Sequence, residues 1–219
     1  FMKSCEKIFC YSDKIKNFPN KFINKISVIP TLLRKEFYNI KKADMIDNEI
    51  NLLIIGGSQG AKSFDEIVRN PIIDLSKKYK LRVFQQTSKN NFKNLKFFYH
   101  TNEIVNELFD YNEDISVFMN KANICLTRAG ASTLAELIFL NIPHLVIPLS
   151  TAKDNHQFEN AFFYNGHGCN WILNQNETTD DKLSNRLFNI INNKEEYLEK
   201  KKNMRNYSYE NTWNNINLK

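Results

Sequence analysis

From Asn51 onward the apolar residues fall into short, nearly unbroken runs, separated by stretches in which they recur every three or four positions. Runs at residues 52–55, 81–85, 104–108, 124–126, 144–147 and 169–172 have the length of strands and the continuous apolar character of a parallel sheet covered on both faces. Between them, residues 63–79, 115–121, 134–140 and 155–165 carry helical spacing, and such helices make the right-handed crossovers that parallel strands require. The pattern predicts an α/β domain with a Rossmann-like, doubly wound parallel sheet. After residue 180 the strand signal stops. The tail "DDKLSNRLFNIINNKEEYLEKKKNMRNY" has apolar positions at Leu183, Leu187, Ile190 and Ile191, so two or three polar helices are expected, each laying one stripe on the body. Its run Lys200 to Lys202 reads as a solvated helix face, with contact to acidic lipid head groups as the alternative.

Ahead of residue 51 the signal changes. The segment "KKADMIDNE" is polar and aperiodic and reads as a linker, whereas "KIFCY" near the start looks like an interior strand. Because Phe1 also stands ahead of Met2, the chain is expected to be a piece of something longer. On this reading residues 1–50 are a remnant of a preceding domain plus linker, and residues 51–219 form one complete domain with a helical tail. No internal repeat or low-complexity block interrupts it.

Composition narrows the class further. The 219 residues are 42% hydrophobic, enough for one large or two small cores. No run of about 18 apolar residues is present and no signal-peptide pattern opens the chain, so a cytoplasmic location is expected. Cys5, Cys10, Cys125 and Cys169 lack the paired spacing and companion histidines of a zinc site and read as reduced thiols, mostly in the core. The formal charge of +6 comes mainly from lysines scattered through an Asn- and Lys-rich chain. That favours anionic partners weakly, and with no RNP-like, zinc-finger or helix-turn-helix pattern no nucleic-acid partner is expected.

In an open α/β sheet, ligands sit where strand ends run into helix N-termini. The first such place is "LIIGGSQGA", where bare backbone, the Ser58 hydroxyl and a following helix suit a phosphate or diphosphate. It lacks Gly-Lys-Ser/Thr and the G-x-G-x-x-G spacing, so it is neither a Walker A loop nor a dinucleotide fingerprint. The second is "TRAGASTLAE": Arg128 can face an anion, Gly130 and Ala131 leave backbone open, and Ser132 and Thr133 bring hydroxyls. Glu136 admits two readings there. With Thr133 it spells a capping box; alternatively its carboxylate accepts bonds from both hydroxyls of a ribose whose phosphates lie at the helix tip. The third is "AKDNHQFENA", whose Asn155, His156, Gln157 and Asn160 offer neutral donors and acceptors suited to sugar hydroxyls and an amide.

Together, "GGSQGA", "TRAGASTLAEL", "NIPHLVIPL" and "KDNHQFENA", in that order, resemble the MurG family, the bacterial lipid-linked N-acetylglucosaminyltransferases of peptidoglycan synthesis. The resemblance runs from Asn51 almost to the end and implies the C-terminal, donor-binding domain of a GT-B glycosyltransferase that moves GlcNAc from UDP-GlcNAc to a muramoyl-pentapeptide on undecaprenyl diphosphate. It further implies that Gly57, Ser58 and Gln59 border the diphosphate; that Arg128, Gly130, Ala131, Ser132 and Thr133 border phosphates and ribose; and that Glu136 takes the ribose hydroxyls. Gln157, Asn160 and His156 would touch GlcNAc, with backbone near Tyr111 and Asn112 at the uracil. "SVIPTLLRKEF" aligns with the family's G-N-P-V-R segment, so Arg34 matches its phosphate-contacting arginine while Pro30, Thr31 and Leu32 replace Gly, Asn and Pro. The family's Gly-rich loop ending in histidine has no counterpart here, and the general base is expected in the N-terminal half. What is implied is an inverting transfer without metal or other cofactor, with the acceptor met through the other half and a peripheral position on the cytoplasmic face of the membrane.

Other classes remain open on the sequence alone. They are the donor subunit of a split transferase with another acceptor, a non-catalytic nucleotide-sugar-binding fragment, and, against the glycine spacing, a dinucleotide-dependent oxidoreductase.

Overall fold

The computed structural model describes residues 2–11, 15, 17–40, 46, 49–111, 114–152 and 155–208, and within the first long helix the side chains of residues 58–62 lie outside that description. A short parallel pair, β1 (Ile8–Cys10) and β2 (Ile26–Val28), precedes the main body. The body runs β3 (Ile50–Ile55), α1 (Gly57–Ile67), α2 (Arg69–Ser76), β4 (Leu81–Gln86), α3 (Phe92–Thr101), β5 (Val105–Phe109), α4 (Ile115–Lys121), β6 (Ile124–Thr127) and α5 (Ala131–Phe139). It ends with β7 (His144–Val146), α6 (His156–Gly166), β8 (Trp171–Ile172), α7 (Asp180–Asn192) and α8 (Lys194–Ser208).

Six parallel strands lie in the order β5-β4-β3-β6-β7-β8. Successive residues of a strand face opposite sides, and β3 divides accordingly. Leu52 and Ile54 join Phe64, Val68, Ile72, Leu75, Leu183, Leu187 and Ile190 on one face, while Leu53 and Ile55 join Phe84, Phe109, Phe118, Leu137 and Leu140 on the other. The central strands β3 and β6 can be almost wholly apolar because both of their faces are covered, whereas the edge strand β5, VNELF, leaves Val105 exposed. The expected doubly wound sheet is present, with all six predicted strands.

Several expectations change in detail. The predicted helix over 63–79 is two helices that meet at Val68, because Pro71 in the first turn of α2 has no N–H to continue the α1 ladder. Helix α3 went unpredicted: its Leu95 and Tyr99 are buried, but Phe97 is exposed, so its many apolar residues do not form one clean stripe. The tail forms two helices over its described length, burying Leu183, Leu187 and Ile190, whereas Ile191 is only partly covered. The run Lys200 to Lys202 is not one solvated face. Lys201 is buried and its ammonium donates to the carbonyl of Asn141 at 2.9 Å, satisfying a turn whose backbone sits at φ 61°. At 1.5 Å rise and 100° per residue, three consecutive lysines cannot share a side of a helix. "KIFCY" does contain a strand, but not an interior one: Phe9 is exposed and its neighbours are half-buried.

The segment before the domain is in closer contact with it than a linker would be. Ile29, Leu33 and Phe37 are buried, and Phe37 lies in the cluster with Phe84, Phe109 and Phe118. Tyr38 meets Phe139 of α5 edge-on at 5.1 Å. Residues 29–40 therefore share the core of the α/β body, while much of 41–49, the expected linker, lies outside the described residues.

On β7, His144 is fully buried; one ring nitrogen lies 2.8 Å from the carbonyl of Ile142, and the other has no partner among the described residues. Burial depresses its pKa to about 4. The folded value is below the unfolded one, so its contribution to stability is complete above about pH 6.5 and is lost as pH falls toward 4.

Two outcomes are expected. Phe37→Ala should destabilise by about 3–5 kcal/mol in urea unfolding, the cost of emptying a core aromatic site; a loss below about 1 kcal/mol would make residues 29–40 peripheral. Between pH 7 and 4, the wild type should lose about 3 kcal/mol more stability than His144→Gln, which has no proton to take up.

Candidate functional site

The strand order reverses between β3 and β6. From β3 the chain moves outward to β4 and β5, and from β6 it moves the other way to β7 and β8. Loops leaving these two neighbours diverge and open a crevice at the carboxyl edge of the sheet. Two helix N-termini meet there, α1 after β3 and α5 after β6. Ile55 pairs with Thr127 at the strand ends, and the Arg128 N–H donates to the Ile55 carbonyl at 3.1 Å.

At the first loop Gly57 has φ 66°, a conformation that a side chain disfavours, and its N–H donates to the Gln86 side-chain oxygen at 2.9 Å. Helix α1 starts at Gly57, so Ser58 and Gln59 lie in its first turn rather than in an open loop. At the second loop Gly130 is the N-cap residue of α5 with φ −66°, and no side chain caps the helix. The first-turn N–H groups of α5 thus have no side-chain acceptor among the described residues, and a Cβ added at Gly130 would make only ordinary contact with Thr133. Ser132 is exposed, and Ala131 and Thr133 are half-buried beside it.

The capping-box reading of Thr133 and Glu136 does not hold. Helix α5 begins at Ala131, which puts Thr133 inside the first turn and Glu136 a turn deeper, beyond reach of the N-cap. Instead Glu136, with 4% of its side chain exposed, accepts from Arg34 Nε at 3.0 Å. Burial pushes its pKa up, against the pull of the Arg34 guanidinium. The same guanidinium lies 3.9 Å from Glu36 and holds down the pKa of Asp114 as a minor cause behind the Ser116 hydrogen bonds.

Arg128 is differently employed than its exposure to an anion would require. It is 3% exposed; Nη1 donates to the Ile147 carbonyl and to Gln175 Oε1, each at 2.8 Å, Nη2 donates to Ser63 Oγ at 2.6 Å, and the guanidinium lies over the Phe64 ring at 4.5 Å. Its Nε has no partner among the described residues, and burial lowers its pKa to about 10. These described acceptors are all neutral oxygens. The site therefore holds a desolvated positive charge behind its two helix tips.

Helix α6 locks the second loop in place. Gln157 Oε1 accepts from the N–H groups of Ala129 at 3.3 Å and Leu149 at 3.0 Å, while Asn160 donates to the Ala129 carbonyl at 3.0 Å. Two amides thus hold both polar groups of Ala129. His156 is exposed at the first position of α6, preceded by Asn155 at φ 56°. Tyr111 is exposed after β5, and Asn112 lies outside the described residues.

The structure brings Gly57, Arg128, Gly130, Glu136, Gln157 and Asn160 to one edge of the sheet, with Arg34 reaching Glu136 from the segment before the domain. Sequence reasoning missed Gln86, Ser63 and Gln175, which position the loops. It also missed the carboxylate of Asp65, buried and accepting from Gln85 at 2.8 Å and from Thr87 and Asn91 at 2.6 Å. The signal for part of it was the polar run "QQT" closing an otherwise apolar strand.

Residues 51–212 match the family described as Glycosyltransferase family 28 C-terminal domain. The chain belongs to this family. Over all 219 residues it is 61% identical to the UDP-N-acetylglucosamine--N-acetylmuramyl-(pentapeptide) pyrophosphoryl-undecaprenol N-acetylglucosamine transferase of Pelagibacter ubique (strain HTCC1062), covering 62% of that protein. Over 198 residues it is 33% identical to the protein of the same name from Rickettsia canadensis (strain McKiel), covering 88% of this chain and 56% of that protein. The chain thus spans about three-fifths of the length of these curated relatives. In fold it matches the crystal structure of Acinetobacter baumannii MurG with a TM-score of 0.65 at 23% identity, over 88% of this chain and 57% of that one. This family 28 domain thereby shares the GT-B fold of that structure.

A raised carboxylate pKa means that the folded protein prefers Glu136 protonated, so its contribution to stability is present at low pH and is lost as pH rises through the raised value. Relative to the wild type, Glu136→Gln should become more stable between pH 4.5 and pH 8 in urea titrations. A constant difference would remove the burial effect.

Proposed function

We propose that this chain is the donor-binding part of an inverting glycosyltransferase that takes GlcNAc from UDP-GlcNAc. The observation that carries the reading is the meeting of two helix N-termini at the switch point of a family 28 domain. Each begins at or just after a glycine, where a Cβ would meet nothing within 4 Å at Gly57 and only Thr133, in ordinary contact, at Gly130. A diphosphate at the helix tips would receive backbone N–H groups and two helix dipoles, with the buried Arg128 charge behind them. Glu136, which is unfavourable as a buried anion, finds its use in accepting ribose hydroxyls. Burial without a capping role supports that assignment.

In the transfer, an acceptor hydroxyl oxygen forms a bond to the anomeric carbon from the side opposite the diphosphate. The bond from that carbon to the β-phosphate oxygen breaks, and its electron pair leaves with UDP. Preorganised N–H groups at α1 and α5 stabilise the negative charge that grows on this oxygen. The acceptor proton goes to a base outside the residues placed at this site. The names of the curated relatives support a lipid-linked muramoyl-pentapeptide as the acceptor, read by the part of those proteins that this chain does not span. The work would take place on the cytoplasmic side of the membrane, and no helix among the described residues is long and apolar enough to cross it. Gln157 and Asn160 would act on the sugar mainly by fixing the Ala129 loop, with His156 nearest to open solvent.

Calorimetric titration in EDTA should show UDP-GlcNAc binding in preference to UDP-glucose and no binding of NADH. A folded sample that ignores UDP-GlcNAc would sink the proposal. Gly130→Ala separates the site from the fold: its stability should stay within about 0.5 kcal/mol of wild type, because the new methyl makes only ordinary van der Waals contact with Thr133, while UDP-GlcNAc affinity falls at least tenfold.

A further inference from the structure

Glu136 is a buried carboxylate of the proposed site, and the group that covers it is part of the protein. Arg34 comes from 102 residues earlier in the chain and lies outside the matched domain, with 49% of its side chain exposed. It is anchored from below. Its guanidinium lies 4.8 Å from the centre of the Phe37 ring, and Phe37 is buried in the core. Its own carbonyl accepts from the Phe37 N–H at 3.1 Å, opening the short 3-10 turn Lys35–Asn39. The Arg34 side chain therefore reaches across from a fixed backbone to a fixed carboxylate, and its exposed side is open to exchange with solvent or ligand.

A guanidinium N–H and a ribose hydroxyl are both donors, and both seek the same carboxylate oxygens. Glu36 and Asp114 add further negative charge around the same guanidinium, so Arg34 also balances an acidic group of three. An empty site without it would leave Glu136 as a buried, unpaired anion.

We infer that Arg34 stands in for the ribose in the empty site and is exchanged for the ribose hydroxyls when a nucleoside enters, so that segment 29–40 registers donor occupancy. This rests on the reading of Glu136 as the ribose acceptor. It makes Arg34 a positioning residue whose two states differ in partner: Glu136 when the site is empty, and other groups of the crevice when it is filled. Entry of a nucleoside then has an electrostatic cost, the loss of the Arg34–Glu136 bond, which selects against ligands lacking two hydroxyls to replace it.

Uridine, being uncharged, isolates this exchange from the attraction of Arg34 for phosphate. In ligand-observed NMR titrations at pH 8, Arg34→Met should bind uridine about fivefold more tightly than wild type, the fold-change corresponding to one half-exposed ion pair. Met keeps an aliphatic stem over Phe37, and Arg34→Lys, which keeps the charge, should stay near wild type. Amide exchange gives a second readout in the unmutated protein: UDP saturation should change the exchange rate of the Phe37 N–H, and Arg34→Met should abolish that change. Equal or weaker uridine binding by Arg34→Met, with the wild type still binding UDP, would overturn the exchange and leave the donor reading standing. Failure of the wild type to bind UDP would overturn both.

Discussion

A sheet whose strands all run the same way must send every connection from one edge back to the other, and this constraint governs the rest of the molecule. It forces helices onto both faces, which is why Leu52 and Leu53, adjacent in sequence, are buried in different clusters. It also gathers all the strand-to-helix loops at a single edge, where the order reverses between β3 and β6. The groups that face each other there come from segments far apart in sequence. Gly57, Gly130 and Gln157 meet because the strands that deliver them are neighbours.

The polar groups at this edge divide into those that hold backbone and those that do not. Gln86, Gln157 and Asn160 each satisfy a loop N–H or C=O, and Arg128 joins β6 to α1 through Ser63 and to the loop after β7 through Ile147. These bonds keep the loops that carry the two helix tips in place by pairing their backbone groups. Glu136 and the Arg128 charge are different in kind. Each is desolvated, and neither caps a helix. Preorganised polarity of this sort fits the nucleotide-sugar site proposed above.

Much of this was legible in the sequence. Continuous apolar runs placed all six strands, and the ordered glycine and polar motifs placed the loops, because both depend on local chemistry and period. Three features were not legible, each for a physical reason. The bend at Val68 followed from one missing N–H at Pro71 within an otherwise helical pattern. Helix α3 was obscured because its aromatics face more than one direction. The partners of Glu136 and Lys201 lie 102 and 60 positions away in sequence, respectively, and a local pattern such as Thr133-x-x-Glu136 suggested a cap that the real start of α5 does not use. Long-range polar pairing leaves no periodic trace.

The last described helix has a bearing on how this domain comes to be made. Helix α8 supplies the Tyr197 hydroxyl to the Asn123 carbonyl at 2.7 Å, Glu196 to the Trp171 indole at 2.5 Å and Lys201 to the Asn141 carbonyl at 2.9 Å. It thus closes positions on both central and outer strands that were synthesised 25 to 74 residues earlier. A nascent chain that has emerged only through α7 still lacks these partners for the carbonyl before β6, the turn carbonyl of Asn141 and the Trp171 indole. Completion of the fold therefore waits on the emergence of α8, and until then those groups stay open to other partners.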